Sequence, residues 1–353
     1  MSKEQATENL NRRDKKANDP RKHHYVPVFY QSNFVNENGL LWMYDRKQKT
    51  YKELHPDVIC FQRDFYAAKP EDKPRNMEME TKVLRLVDAL GFRGVRDFQV
   101  GKPNRSAEQE VALFMAFQWT RVPTFSRDIR VTYAKMIEEL GRVTFANVER
   151  AKAVMQKYAQ KIGEDLKVTP ESMVKSIREK QFEITATETA FFHQMVEQAT
   201  SLTNVLLSLD WEVLIAPNET GFIICDCPVV VVPPNLSRQV GFAVPGSVKY
   251  FPLSRQICLR LGDQGKKRSL RRIGKEEVRI VNQNIAANSE RFIMGPSRVQ
   301  LENIVSRSGC TDMETIPRFT IETVQSDEDS SLQMISAQPR RYFYSKNAPH
   351  SAP

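Results

Sequence analysis

The spacing of apolar residues changes twice along this chain, and that change limits the possible folds more than any other feature. Residues 40–54 alternate as a β-hairpin does, whereas most of residues 76–209 repeat apolar positions at helical spacing. From Trp211 onward, short apolar runs with period two return, followed by one helix predicted over residues 275–289. Strands and helices that are segregated in this way indicate an α+β fold rather than a doubly wound α/β fold.

The predicted architecture has an N-terminal β-hairpin region, a central helical region and a C-terminal mixed β-sheet with a late helix. Either the two β-rich parts form one shared sheet on which the helices pack, or the helices form a bundle of their own. Residues 1–21 are predicted to be a disordered basic arm, and residues 299–353 a loosely ordered tail. A single domain is therefore predicted over residues 22–298, with its helical middle at about residues 76–209.

Glycine and polar residues mark the predicted helix ends. Gly91 is predicted to stop a helix over about residues 77–90. Ser106 is predicted to open the next helix through a capping box with Gln109. The amphipathic stretch at about residues 126–163 is predicted to be helical, with a break near its middle.

Composition is that of an ordinary soluble protein. Hydrophobic residues make up 41% and charged residues 27% of the 353 residues, which excludes wholesale disorder. No run approaches the ~18–20 apolar residues of a membrane span, and the first residues lack the apolar core of a secretory signal. A cytoplasmic protein with no membrane partner is therefore predicted.

Cysteine usage and missing motifs exclude several chemistries. The five cysteines are odd in number and scattered, which argues against a disulfide framework. Cys225 and Cys227 have no second close pair to complete a zinc site, so two small residues of a buried strand are the favoured interpretation. The dinucleotide-binding, P-loop, zincin and nucleophile-elbow signatures are all absent, and the corresponding functions are disfavoured.

Two adjacent histidines, His23 and His24, stand where the ordered chain is predicted to begin. Imidazole titrates near neutrality, so it serves as a general base, a proton shuttle or a metal ligand. Because neighbouring residues in an extended chain point to opposite sides, only one of the pair readily faces a given pocket. Both are candidate catalytic residues, and the alternative is that they anchor a Tyr-Val-Pro turn.

Two carboxylates are candidate partners for these histidines. Asp226 interrupts an apolar run, where a carboxylate must be paired, bound to a cation or placed at a strand end. Glu80 lies in the first turn of a predicted helix, where the helix dipole favours negative charge. Asp226 is a candidate catalytic residue and, with His24, a candidate ligand of a divalent metal; Glu80 is a candidate supporting residue. The alternatives are an Asx-type turn for Asp226 and the dipole alone for Glu80.

Gln118 and Arg121 lie three residues apart on a predicted helix, so they project on neighbouring faces. An arginine whose planar fork is held by a glutamine beside a helix end is suited to binding phosphate or carboxylate. Arg121 is therefore a candidate for stabilising negative charge, with Gln118 in support. The alternative, weighed equally, is an arginine that pairs with an acid at the edge of the core.

The net charge of +9 favours polyanionic partners, and one segment concentrates it. Residues 266–275 hold six cations and no acid. This basic segment is a candidate for contact with phosphate or nucleic acid, and a solvated loop before a helix is the favoured alternative. Its candidate binding residues are Lys266, Lys267, Arg268, Arg271 and Arg272.

The His-His-Tyr-Val-Pro sequence at residues 23–27 resembles the opening of a bacterial family catalogued as domain of unknown function 4238. Further matches follow at Gly39, Trp42, Tyr44 and Asp45, at Arg121-x-Pro123, at Asp226-x-Pro228 and at Pro252-Leu253-Ser254. Family members often show Ser-Asp-Asn-Pro where this chain has Cys-Asp-Cys-Pro at residues 225–228. The resemblance covers about residues 22–295, supports the domain limits and implies no established activity.

Three hypotheses about function follow. The leading one is a hydrolase-like protein that acts on a phosphate-containing substrate such as nucleic acid. In it a histidine is the base or metal ligand, the acids hold a divalent cation or orient the histidine, and Arg121 stabilises developing charge. The second is a non-catalytic module that binds nucleic acid or a protein through the basic segment. The third is a structural polar network; the substrate, the metal requirement and the oligomeric state stay open.

Overall fold

The computed structural model describes most of the chain, in six stretches and one isolated residue. These are residues 21–68, 75–179, 181, 187–234, 241–308, 319–327 and 330–337, the last two as backbone only. Residues 1–20, nearly all of the predicted basic arm, lie outside the described residues.

The chain divides into two compact units. The first comprises Met1–Phe125 together with Phe192–Pro353, and the second is Ser126–Phe191. Within its described residues the second unit is helical, and its buried apolar side chains include Ile129, Met155 and Val174. The hydrophobic pattern predicted one domain over residues 22–298 and did not indicate this division.

Helices form the middle of the chain and two later segments. A π-helical turn (Met79–Leu84) runs directly into α2. The helices in chain order are α1 (Val28–Gln31), α2 (Arg85–Gln99), α3 (Arg105–Thr120), α4 (Pro123–Thr144), α5 (Val148–Ile162), α6 (Pro170–Arg178), α7 (Glu188–Ser208), α8 (Lys275–Asn288) and α9 (Arg298–Ser308).

Strands come from both ends of the chain. In chain order they are β1 (Lys22–His24), β2 (Leu41–Asp45), β3 (Thr50–Leu54), β4 (Phe61–Arg63), β5 (Leu209–Ile215), β6 (Ile224–Cys225), β7 (Val230–Val232), β8 (Val248–Pro252), β9 (Ile257–Gln264), β10 (Arg268–Arg272), β11 (Phe292–Gly295), β12 (Phe319–Asp327) and β13 (Ser330–Ala337). The protein therefore has an α+β fold, as the segregated periods predicted.

Two larger sheets carry the fold. One has the order β10-β5-β9-β8-β7, in which only β10 and β5 run parallel. The other has the order β3-β2-β11-β6 and is antiparallel, with Met294 opposite Met43 on one side and Ile224 on the other. The predicted N-terminal hairpin thus shares a sheet with late strands. Two smaller pairs, β1-β4 and β12-β13, are also antiparallel.

Aromatic side chains after β1 fix the N-terminal segment to the core. Tyr30 stacks on Phe251 with 5.3 Å between ring centroids and packs edge-on against Phe114. Its hydroxyl donates a hydrogen bond of 2.5 Å to the carbonyl oxygen of Pro252. Because that hydroxyl is fully buried, this bond satisfies a polar group that is costly to leave unpaired.

The predicted stop at Gly91 is wrong, because this glycine lies inside α2. A Cβ atom at Gly91 would lie 2.5 Å from the ring of Phe114 on α3, so the missing side chain allows the two helices to approach closely. The capping prediction at Ser106 is also shifted. The side chain of Asn104 accepts the hydrogen bond from the backbone nitrogen of Ala107 and caps α3.

Two segments are more regular than their sequence indicated. The middle of the basic segment, Arg268–Arg272, forms strand β10, paired in register with residues 211–215 of β5, where a solvated loop was favoured. Helix α9 continues past the predicted boundary at residue 298 and buries Leu301, Ile304 and Val305. That spacing of three and four residues gives α9 one apolar face, so the loosely ordered tail does not begin at residue 299. No helix in the described part of the chain is long and apolar enough to span a membrane.

Candidate functional site

Distant polar side chains meet between β1, the π-helical turn and the end of α3, all within the first unit. We refer to this group as the Arg121 cluster. Its members are His23, His24, Tyr66, Glu80, Asp88 and Arg121, joined by the hydrogen bonds and electrostatic contacts described below.

Arg121 is the centre of the cluster and is almost completely buried, with 1% of its surface exposed. Its Nη1 donates to Asp88 Oδ1 at 2.5 Å, and its Nη2 donates to the carbonyl oxygen of His24 at 2.7 Å. Burial disfavours its charge, but Asp88, Tyr66 and Glu80 outweigh burial and raise the pKa of Arg121. Its Nε has no hydrogen-bond partner among the described residues. The sequence therefore found the residue but not its main partner, Asp88.

His23 is sealed inside the protein and has a structural role. Its Nδ1 accepts a hydrogen bond of 2.8 Å from the backbone nitrogen of Tyr66, and its ring stacks on that tyrosine. The Tyr66 hydroxyl in turn donates to the carbonyl oxygen of Arg121 at 2.6 Å. Stacking and hydrogen bonding hold the imidazole in one orientation, so His23 fixes the loop that carries Tyr66.

His24 points to the other side of β1, as alternation predicted, and is half-buried. Its Nε2 lies 2.9 Å from the carbonyl oxygen of Asp57, which accepts a hydrogen bond when Nε2 carries the proton. Burial lowers the pKa of His24, with the nearby cations Lys22 and Arg121 contributing. The neutral ring is therefore favoured at neutral pH, and its backbone carbonyl holds Arg121.

Among the side chains of the cluster, that of Glu80 has the least satisfied hydrogen-bonding capacity. It is partly buried, and its Oε2 is buried without a hydrogen-bond partner among the described residues. Burial raises the pKa of Glu80 to about 7; Arg121 opposes this shift and Asp88 adds to it. A carboxyl group with such a pKa exchanges its proton at neutral pH, as general acids and bases do.

The π-helical turn explains how Glu80 reaches this position. Asn76 accepts a hydrogen bond from the backbone nitrogen of Glu78 and starts the turn. π-Helical turns widen a helix locally and occur often at functional sites. Glu78, two residues earlier, is exposed and pairs with Lys82 at 2.5 Å. The two glutamates therefore have different environments, and Glu80, the one selected from the sequence, is the partly buried one.

Asp88 and Tyr66 are the cluster members that sequence reasoning missed. Asp88 follows the buried Leu84 by four residues, and this spacing was the available signal that it lies on the inner side of the helix. No comparable local signal exists for Tyr66, because its partners Arg121 and His23 are far away in the sequence.

Gln118 does not hold the fork of Arg121. Its side chain is fully buried one turn earlier on α3, and both its amide oxygen and its amide nitrogen lack a hydrogen-bond partner among the described residues. Buried amides of this kind are rare in folded proteins and are costly. Gln118 is therefore a polar group beside the cluster whose hydrogen-bonding capacity is unused.

Asp226 lies apart from these contacts and is saturated by backbone. Its Oδ1 accepts from the nitrogen of Glu290 at 2.9 Å, and its Oδ2 accepts from those of Arg291 and Phe292 at 2.7 and 3.1 Å. Burial and the charge of Glu290 raise the pKa of Asp226 to about 6, against the effect of these three donors. Within the described residues no hydrogen bond joins Asp226 to the Arg121 cluster.

Amides of α8 complete the structural role of the Asp226 segment. Asn288 donates to the carbonyl oxygens of Cys227 and Val229, and Asn282 contacts the backbone of Gly221 and Ile223. The bonds of Asn288 satisfy backbone groups between β6 and β7, and those of Asn282 satisfy backbone groups just before β6. Cys225 and Cys227 are both buried, as predicted, but only Cys225 lies in a strand, β6, and Cys227 follows it.

A metal site at His24 and Asp226 has no geometric support in the described residues. There, no group of three or more histidine, cysteine, aspartate or glutamate side chains is arranged to hold a metal ion. Since Asp226 already accepts three backbone hydrogen bonds, its oxygens are committed to the fold.

Acids from other segments and from the start of α8 partly neutralise the basic segment. Arg268 pairs with Glu108 at 2.9 Å, and Arg271 pairs with Glu212 and Glu277 at 2.8 and 2.7 Å. Lys266, Lys267 and Arg272 have no ion pair among the described residues. The cations of the basic segment therefore differ in whether their charge is already paired with an acid.

The fold and the site together define the class of this protein. It is an α+β protein in which a partly buried carboxyl group lies beside a buried arginine. A family model described as "Protein of unknown function (DUF4238)" matches residues 22–298. The chain belongs to this family, and the match spans every member of the Arg121 cluster. No curated protein and no solved structure gives a match.

Proposed function

We propose that the protein is a hydrolase-like enzyme in which Glu80 transfers the proton. The observation that carries this proposal is the partly buried Glu80 carboxyl group, whose unpaired Oε2 lies in the electrostatic field of the buried Arg121. Unsatisfied buried polar atoms and shifted pKa values occur together at active sites more often than elsewhere in proteins.

In the proposed reaction the ionised Glu80 acts as a general base. It removes a proton from a water molecule or a substrate hydroxyl group and stores that proton while the new bond forms. A carboxyl group with a pKa of about 7 is suited to this step because it is substantially ionised at neutral pH and still basic enough to accept a proton.

Asp88 and Arg121 act on Glu80 as positioning residues. Arg121 favours the ionised carboxylate, whereas Asp88 favours the protonated form and also holds the guanidinium. Because these two effects oppose each other, the pair sets the pKa of Glu80 between the value that burial alone would give and its ordinary value. Its burial gives Arg121 this indirect role rather than direct contact with a large substrate.

The test compares two glutamates of the same turn. We expect Glu80→Gln to lower kcat by about 100-fold, in the range for losing a general base, and Glu78→Gln to leave it within about twofold. The substrates are a panel of phosphomonoesters, phosphodiesters, carboxyl esters and nucleic acids, each with and without a divalent cation. For a substrate that turns over, kcat/KM of the wild type should rise through about pH 7.

Two results contradict the proposal. One is an active wild type whose Glu80→Gln variant keeps its rate, and the other is a rate that falls as pH rises through neutrality. If no substrate in the panel turns over, the hydrolase proposal is rejected for these four classes, and the phosphate-containing substrate with it.

The phosphate-containing substrate remains a prediction from the sequence. Its support is weaker than that for proton transfer, because the cluster combines two carboxyl groups with one arginine that is already paired. The proposed role of His24 is to fix Arg121 through its backbone carbonyl, and neither His23 nor Asp226 is needed for the reaction.

A further inference from the structure

A cavity of about 540 Å³ lies within the first unit, and no member of the Arg121 cluster is among its lining residues. The start of α3, the end of α7 and the turn before β10 form its walls. Its charged lining residues are Arg105, Lys266, Arg268 and Glu108, which gives three positive charges and one negative charge. The volume is within the ~300–1,000 Å³ of small-molecule sites.

The turn that carries Lys266 is held rigidly in an unfavourable conformation. Lys266 has φ = 58°, in the left-handed region that side chains other than those of glycine, asparagine and aspartate rarely adopt. Asp210 fixes the turn, because its Oδ1 accepts from the backbone nitrogen of Lys267 at 2.7 Å. A Cβ atom at Gly265 would collide with the same oxygen, so a larger residue there would displace the Asp210 side chain that fixes the turn. Backbone strain that the surroundings maintain in this way is typical of ligand sites.

Arg268 is oriented with part of its hydrogen-bonding capacity unused. Its Nε donates to Glu108 at 2.9 Å, and its Nη1 donates to the carbonyl oxygens of Leu209 and Lys267. Its guanidinium carbon lies 5.3 Å from the centre of the Trp211 ring. The Nη2 group has no hydrogen bond within the described residues, so a fixed donor remains available.

Further donors line the same cavity. Arg105 is exposed at the first position of the 16-residue helix α3 and has no ion pair among the described residues. The amide side chains of Gln109 and Asn204 also line the cavity. The partial positive charge at the start of α3 adds to the three cations. Positive charge and fixed donors around a concave space are the features of a phosphate-binding site.

The arrangement of β10 favours a small ligand over a nucleic-acid strand. Side chains alternate across a strand, so Arg268 and Arg271 lie on opposite faces of the sheet. Their partners agree with this, since Arg268 lies over Trp211 whereas Arg271 pairs with the next residue, Glu212. A nucleic-acid backbone needs cations along one continuous surface. The basic segment instead divides its charge between two faces, and only one of them borders the cavity.

We propose that this cavity binds a small phosphorylated molecule of about nucleotide size, with its phosphate group held by Arg105, Lys266 and Arg268. The site does not use Glu80, so it is independent of the proposed reaction. It gives the chain a ligand site in addition to the Arg121 cluster.

The test measures binding of ATP, inorganic phosphate and a single-stranded DNA of about 20 nucleotides to the full chain by calorimetry, at low and moderate salt. We expect the wild type to bind ATP most tightly. Lys266→Asn and Arg105→Gln should each weaken ATP binding about tenfold. Asparagine tolerates the positive φ at position 266, and position 105 is an exposed helical position, so neither substitution should disturb the fold. Arg272→Gln removes an exposed cation of β10 that does not line the cavity, and it should change binding by less than about twofold.

Each alternative result overturns the proposal. Equal losses in Lys266→Asn and Arg272→Gln would indicate unspecific attraction by net charge. DNA binding that is tighter than ATP binding and depends on Arg272 would assign the surface to nucleic acid. An absence of heat with about 1 mM ATP in the wild type at two temperatures would show that the cavity is no phosphate site. Unchanged thermal unfolding midpoints of the variants exclude misfolding as the cause of weaker binding.

Discussion

Glu80, which is partly buried, and Asp226, which is buried, are both acids of the first unit, and their pKa values are raised to about 7 and about 6. Their hydrogen bonding differs completely. Asp226 accepts three hydrogen bonds from successive backbone nitrogens, whereas Glu80 has a buried oxygen without a partner. Burial raises both pKa values, so the shift alone does not separate a structural acid from a reactive one. The hydrogen bonds of the two carboxyl groups do distinguish Asp226 from Glu80, the acid proposed to transfer the proton.

The two acids also differ in what their charge is used for. The carboxylate of Asp226 is the hydrogen-bond acceptor for the backbone nitrogens that lead into β11. The sheet that contains β11 therefore depends on it. Glu80 lies beside the ion pair of Arg121 and Asp88 without a hydrogen bond to either of them. A group that the fold does not need and that burial destabilises is costly to keep, and the proton transfer proposed above is the function that would offset that cost.

The largest expected effect is at Asp226. Asp226→Ala leaves the nitrogens of Glu290, Arg291 and Phe292 without their acceptors in a buried place, and we expect a loss of about 4 kcal/mol in the free energy of unfolding. Urea unfolding followed by circular dichroism measures it. Asp226→Asn keeps one acceptor oxygen and should lose less. A loss below about 1 kcal/mol in the alanine variant would remove the structural assignment.

The next effect is a change of opposite sign at Glu80. Its pKa in the folded protein is about 7, above the ordinary value of 4.5, so the folded state holds an extra proton between these pH values. The free energy of unfolding contributed by Glu80 therefore falls as pH rises from about 4.5 to about 7 and is constant outside that window. Glu80→Gln removes this loss and should make the protein more stable than the wild type at about pH 8, by about 2–3 kcal/mol.

The control for this prediction is Glu78→Gln. Glu78 is exposed, and its hydrogen bond to Lys82 lowers its pKa, so its substitution should not reproduce the gain at alkaline pH. The curves of Glu80→Gln and wild type should converge below about pH 4.5, where both side chains are neutral. A gain that persists unchanged in acid would mean that the substitution acts through packing and not through the proton.

The smallest expected effect is on the position of the Glu80 titration. Asp88 raises the pKa of Glu80, so Asp88→Asn should lower it and should move the pH midpoint of activity to lower pH. The asparagine oxygen can still accept from Arg121, and we expect a loss of stability of about 1 kcal/mol. Carbon-13 NMR of labelled glutamate side chains measures the midpoint without a substrate. A midpoint that does not move or that rises would separate Asp88 from the proposed site.

Several elements show how far local sequence reasoning reaches. The hairpin of β2 and β3 was predicted from the alternation of apolar residues, and α8 from their helical spacing. Both predictions succeeded because each pattern is formed by residues that are close together in the sequence. Gly91 shows the limit. A glycine after a helical run signals a helix end locally, but here its purpose is contact with Phe114 on another helix. The division of the chain at residues 126–191 is likewise a property of contacts between distant segments.

The candidate site shows the same limit more sharply. Sequence reasoning selected Arg121, Glu80, His23 and His24, and the structure places all four in one cluster. It also ranked Asp226 above Glu80 because an acid inside an apolar run is conspicuous. The partners of Asp226 lie 64 to 66 residues later in the chain, and no local pattern announces them.

The amino-acid sequence by itself determined the α+β class, the segregation of strands and helices along the chain and the residues able to titrate or carry charge. These properties depend on side-chain type and on spacing along the chain, which are local. Only the tertiary structure decided which acid is satisfied, which arginine is sealed and which cations border a cavity. The physical reason is that hydrogen bonding, desolvation and electrostatic fields act through space, between residues that folding alone brings together.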